Sequence, residues 1–107
     1  MNGLEMISKE IHEAIDGGMA SEDDKYASGE LAFAAASYIL RGRTIGEIPM
    51  YWPWSDTKWN PNKSDHRVDL AKAGALIVFE INRLNRQEER HAAKSLAGAE
   101  RQKSGDI

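Results

Sequence analysis

The 107-residue chain has no cysteine. That excludes disulfides, thiolate zinc sites and cysteine nucleophiles, and it fits a reducing cytosol. Long apolar runs are lacking too. The longest, AGALIVF at 73–79, is far short of a membrane span and buries easily in a soluble core. The opening segment MNGLEMISKEIHEAID has carboxylates where a signal peptide needs an apolar stretch, so no secretion is expected. Positive charge is not in excess. The net charge is −3, which disfavours duplex nucleic acid as a partner. No phosphate-cradling glycine loop exists, because GRTIGEIP has neither the spacing nor the Lys-Ser/Thr pair. A cytoplasmic protein with no membrane partner is expected.

What is present suits one small globular domain: 41% hydrophobic and 29% charged residues. Leu4, Ile7, Ile11, Ala14 and Ile15 recur at helical spacing and predict a helix over 4–16, stopped by Gly17 and Gly18. Ser21 and Asp24 form a candidate capping box. A second, alanine-rich helix is predicted over 28–41, with Ser28 as N-cap, Glu30 in the first turn and an apolar edge of Leu31, Ala35, Tyr38 and Ile39. Gly42 is its expected stop. The third starts near Ser64 and runs at least to Arg86. It has two stripes, one of Leu70, Ala73, Ile77, Ile81 and Leu84, the other of Val68, Ala71, Ala75 and Phe79. Gly74 inside it costs about 1 kcal/mol against alanine, which implies close packing against another backbone, with the alanine face of helix two as candidate. Residues 87–102 either extend this helix, form a fourth, or fray. The expectation is an all-α domain of three to four helices over 1–98 with a disordered tail over 99–107.

Between helices two and three lies an irregular segment, 42–63, holding Pro49, Pro53 and Pro61. All three tryptophans, Trp52, Trp54 and Trp59, sit here. Indoles can pin such a segment by burial or offer a surface for a ligand. Fixed by Pro53 between them, Trp52 and Trp54 can divide these roles, one staple and one surface.

The charge is uneven. Residues 1–30 carry eight carboxylates against two lysines, a balance of −6, and residues 83–103 carry six basic against three acidic residues, a balance of +3. These ends can meet within one fold, pair two copies, or remain solvated faces. His12, His66 and His91 show no ligand spacing. Glu10 and Glu13 lie one turn apart, as in the magnesium site of all-α nucleotide pyrophosphohydrolases, but the second E-x-x-D pair that site needs is missing. Glu30, Arg67, Asp69, Lys72, Glu80 and Arg83 are the polar set of helices two and three. Local ion pairs, Asp69 with Lys72 and Glu80 with Arg83, account for four of them. The alternative is that some line a pocket beneath the Trp segment. Candidate binding residues are therefore Trp52, Trp54, Trp59, Arg67, Lys72, Glu30 and Glu80.

DGGMASEDDKYASGELAFAAASYI, then WPW, WNP and RVDLAKAGALIVFEINRLNR, resemble a family of small bacteriophage and prophage proteins over roughly residues 16–86. Gly18, Tyr26 and Asn60 stand where that family often has tryptophan, histidine and lysine. The resemblance implies a phage accessory protein in the host cytosol. The expected activity is binding without turnover, directed at a host protein such as a defence factor, with no cofactor or metal and with a homodimer as candidate assembly. The alternative is a nucleotide-binding or magnesium-dependent pyrophosphohydrolase-like protein.

Overall fold

The computed structural model describes residues 1–18, 23–40 and 48–105, with residues 23 and 97–105 by backbone alone. It is all-helical, with no strand among the described residues. Helix α1 spans Gly3–Asp16, α2 Glu30–Leu40 and α3 His66–Gly105, with single 3-10 turns at Asp23–Lys25 and Asp56–Lys58. Ser21, Gly42 and Gly46 lie outside the described residues.

Each start has a local cause. Asn2 Oδ1 accepts from the Glu5 amide at 2.9 Å and Glu5 Oε1 accepts from the Asn2 amide at 3.1 Å, a reciprocal capping box. Helix α2 begins at Glu30 rather than at 28. Gly29, at φ +87°, takes the turn that a side-chain-bearing residue resists, and its carbonyl accepts from the Phe33 amide. Ser28 is thus outside the cap, and its amide donates to Glu30 Oε1 at 2.6 Å. At α3, Asp65 Oδ1 accepts from the Arg67 amide at 3.0 Å, and Asn62 Oδ1 accepts from the amides of Ser64 and Asp65.

The core sits where α2 and the Trp segment meet α3. Leu31, Ala34, Ala35 and Tyr38 from α2 bury with Ala73, Ala75, Leu76 and Phe79 from α3 and with Trp52. Alanines on both helices let the two backbones approach, and the aromatic residues fill the end of the layer. Ser37 is fully buried, and its hydroxyl donates to the Phe33 carbonyl at 2.9 Å. Helix α1 packs against α3 beside this core, with Ile7, Ile11 and Ala14 half-buried. Gly74 leaves room here for the Ile7 side chain. A Cβ would lie 2.7 Å from Ile7 Cδ1, so its close neighbour is α1, not the alanine face of α2.

Two further expectations change, and one left open is decided. Ile39 is exposed, because α2 turns Leu31, Ala35 and Tyr38 inward and leaves it at the edge. The stripe Leu70, Ile77, Ile81 and Leu84 is also exposed, at 43–52%, with only Ala73 of that set buried. α1 and α2 are short and occupy the other sides of α3. The charged ends do meet within one fold: Asp24 lies 3.1 Å from Arg86 and 3.7 Å from Arg90. Both pairs are substantially exposed, so they contribute little stability.

Helix α3 has 40 residues, about 60 Å of rise. The radius of gyration is 18.3 Å, against about 13 Å for a compact chain of this length. Residues 87–102 extend α3 rather than forming a fourth helix. Of the tail expected at 99–107, residues 99–105 continue α3 by backbone, and 106 and 107 lie outside the described residues.

Trp52 is the largest side chain of this core. Replacing it with alanine should lower unfolding free energy by about 3–5 kcal/mol, read from the urea midpoint. Met50→Ala, at a residue 97% exposed, should stay within about 0.5 kcal/mol of wild type.

Candidate functional site

The segment before α3 is held by short bonds. Trp52 Nε1 donates to the Ser55 carbonyl at 3.1 Å, and the Trp52 amide donates to the Pro49 carbonyl at 2.9 Å. Ser55 Oγ caps the turn that follows, accepting from the Thr57 amide. Helix α3 then reaches back. The carboxylate of Asp69, fully buried, accepts from the Asn62 amide at 2.7 Å, and Lys72 Nζ donates to the Asn60 carbonyl at 2.7 Å. Asp69 and Lys72, expected as a local pair, each take a partner on the incoming segment. Together they fix residues 60–62 against the helix.

Aromatic rings pack on this frame. Tyr38 stacks on Trp59 with centroids 4.8 Å apart, and Trp52 meets Tyr38, Trp54 and Trp59 edge-on at 4.9–5.6 Å. Tyr26, from the stretch before α2, closes on Trp54 at 5.0 Å. Trp52 is buried, while Trp54 and Trp59 are partly exposed. The indole N–H of Trp54 is buried and meets no hydrogen-bond partner among the described residues.

Between these rings and α1 lies an open cavity of about 640 Å³, within the range of small-molecule sites. Tyr26, Tyr38, Trp52, Trp54 and Phe79 form its apolar walls. Glu10 and Glu13 enter from α1, Lys72 from α3 and Lys58 from the 3-10 turn. Burial raises the Glu10 pKa from its ordinary value, the neighbouring Glu13 raises it further, and Lys72 and Lys9 oppose both. Burial likewise raises the Tyr38 phenol. Lys72 Nζ stands 5.5 Å from the centre of the Tyr38 ring.

Three of the seven sequence-derived candidates, Trp52, Trp54 and Lys72, line this cavity. Trp59 stands behind it, stacked on Tyr38. Arg67 is an exposed residue paired with Asp65 at 3.0 Å. Glu80 bonds Arg83 at 2.6 Å, with both side chains largely buried, as their i, i+3 spacing suggested. Glu30 closes the start of α2. Glu10 reads from its neighbours as a solvated carboxylate or as half of a metal pair, yet Ile7, Glu10, Ala14 and Gly17 share one face of α1 by spacing. That signal places its carboxylate beside the apolar contact. Among the described residues no three His, Asp or Glu side chains come together as a metal site. No described helix is long and apolar enough to cross a membrane.

No family model matches the chain, and no curated protein or solved structure matches it either.

Folding raises the Glu10 pKa, so between its unfolded and folded values the native chain keeps a proton there that the unfolded chain has lost. Stability from this group therefore falls as pH rises through that window and returns on acidification. Glu10→Gln should melt higher than wild type at pH 7, and the difference should vanish near about pH 4. A calorimetric comparison at both pH values checks it.

Proposed function

We propose that this chain acts by binding, with the cavity beneath the Trp segment as the seat of recognition. One observation carries the reading: a cavity of about 640 Å³ walled by five aromatic rings, held open by a segment that α3 fixes through Asp69 and Lys72. Wide apolar walls with a few convergent charges are the usual make-up of a ligand site. The resemblance of its motifs to those of small phage and prophage proteins supplies the setting. In this reading the chain is an accessory protein of the host cytosol that engages a host protein and modulates it, a defence factor being the kind of target that suits an accessory gene.

Affinity capture from bacterial lysate, with wild type and Trp54→Ala side by side, tests this. Trp54 is half-exposed, and the variant should remain folded by circular dichroism. A host protein retained by wild type and lost by Trp54→Ala is the expected result. Nucleotides that raise the melting temperature only with Mg²⁺, and that are hydrolysed, would support the pyrophosphohydrolase alternative instead.

Self-association belongs to the same proposal. Leu70, Ile77, Ile81 and Leu84 make an exposed apolar line along about 21 Å of α3. A two-fold antiparallel pairing centred on Ile77 sets Leu70 against Leu84 and brings His66 of one copy opposite Glu88 of the other. Such a line covers itself with no foreign partner. Light scattering should give a dimer for wild type and a monomer for Ile81→Glu. A wild-type monomer at high micromolar concentration defeats the pairing.

A further inference from the structure

The outer face of α2 carries no polar side chain. Of the eleven residues in this helix only Glu30, Ser37 and Tyr38 have one, and Ser37 and Tyr38 are buried while Glu30 stands half-buried at the start. Ala32, Phe33, Ile39 and Leu40 face outward, with Phe33 51% and Leu40 48% exposed. A helix that is apolar on every side is normally enclosed, and α3 with the Trp segment encloses only one side of this one.

This face adjoins the apolar line of α3. Asp24, just ahead of α2, meets Arg86, and Tyr38 meets Lys72, so α2 runs antiparallel to α3. That register brings Ile39 to the level of Leu70 and Ala71, and Ala32 to the level of Val78. Small residues make the seam, with Ala35 and Ala73 both buried. One helical step outside Ala73 lie Leu70 and Ile77, and one step outside Ala35 lie Ala32 and Ile39. The two exposed sets flank one seam and make a single two-helix apolar face. The cavity is on the other side of α3, where Lys72, Ala75, Leu76 and Phe79 line it.

We propose that α2 belongs to the interface between two copies, so that α2 and α3 of both form a four-helix layer with α2 beside α2. The inference rests on the self-association put forward above and adds a second helix to it. Three features fit a copy of this chain better than a foreign partner. The α3 line is palindromic about Ile77: Leu70 meets Leu84, and Ile81 falls opposite Ala73, a large side chain over a small one. Charge at the ends is complementary, since the exposed Glu88 of one copy arrives level with His66 and Arg67 of the other, both exposed. The two-fold axis that pairs α3 with α3 also carries α2 to the same side of the pair, where Ala32 and Ala36 are small enough for the two α2 helices to approach closely. The layer leaves both cavities open and facing away from each other. The assembly is then bivalent, suited to a partner that is itself repeated.

Analytical ultracentrifugation of the full chain tests it, with circular dichroism to show that each variant folds. Wild type should be a dimer. Ala32→Glu puts a carboxylate at an exposed site in the first turn of α2, where a helix accepts one, and should give a monomer. Ile39→Gln should weaken the dimer about tenfold, which keeps the test decisive should Ala32→Glu unfold. Trp54→Ala, on the cavity side, should remain dimeric. The chain has no cysteine, so introduced cysteines report the register. Ile77→Cys should cross-link to itself on oxidation, and Leu70→Cys should cross-link to Leu84→Cys but not to itself. Ala32→Glu and Ile39→Gln that both dimerise like wild type, beside a monomeric Ile81→Glu, overturn the four-helix layer and leave the α3 pairing standing. Self-cross-linking of Leu70→Cys, or loss of the dimer in Trp54→Ala, also overturns the layer. A wild-type monomer at high micromolar concentration defeats the layer and the pairing together.

Discussion

The burial of Trp52 between α2 and α3 is the constraint on which the rest of this molecule hangs. Its ring meets Tyr38 of α2 at 5.6 Å, and its N–H is spent on the Ser55 carbonyl within its own segment. A segment with three prolines has no helical or sheet ladder of its own to hold it. Burial of one large ring replaces that ladder, because an indole covers about 200 Å² and needs a single hydrogen-bond partner. Once Trp52 is fixed, Pro53 sets where Trp54 goes, and Trp54 becomes a wall and not a plug. The cavity is a consequence of that staple.

The second half of the clamp is polar. Asp69 sits in the first turn of α3, fully buried, with a carboxylate bonded to a backbone amide seven residues earlier. Such a bond is stronger than a neutral one, and it gives a buried charge a reason to be where it is. Lys72, almost one turn on, accounts for the Asn60 carbonyl. The two act on donor and acceptor of the same short stretch, so the stretch is held against both sliding and lifting. A lysine bound this way is a structural cation at the edge of the cavity. From there its charge still acts on Glu10, opposing the effects of burial and of Glu13.

Much of this architecture was legible because the signals were periodic. The helices α1 and α3 and the stop at Gly17 come directly from apolar spacing and glycine chemistry, although Leu4 and Ile15 of the α1 stripe are exposed. So does the burial of Leu31, Ala35 and Tyr38. The misread points share a cause: they depend on what another element does. Spacing alone marks Leu70, Ile77, Ile81 and Leu84 as a core stripe as good as Val68, Ala71, Ala75 and Phe79. Only the shortness of α1 and α2 decides that one is covered and the other exposed. Gly74 announced a close approach, but its partner could have been either helix. Asp69 and Lys72 satisfied a local rule and were drawn instead to a segment twelve or fewer residues upstream.

The site follows the same division. Trp52 and Trp54 stand out in any reading, since indoles between prolines need an explanation. Tyr26 and Glu10 do not, because nothing in their own neighbourhoods distinguishes them from surface residues. They become part of a site only when α1 and the stretch before α2 are set on opposite sides of the same cavity. Glu10 shows how the placement creates the chemistry. On an isolated α1 it would be a solvated carboxylate one turn from another. Facing aromatic walls it loses hydration, and Glu13 stays close enough to repel it. Its charge is then costly, and Lys72 and Lys9 offset only part of that cost.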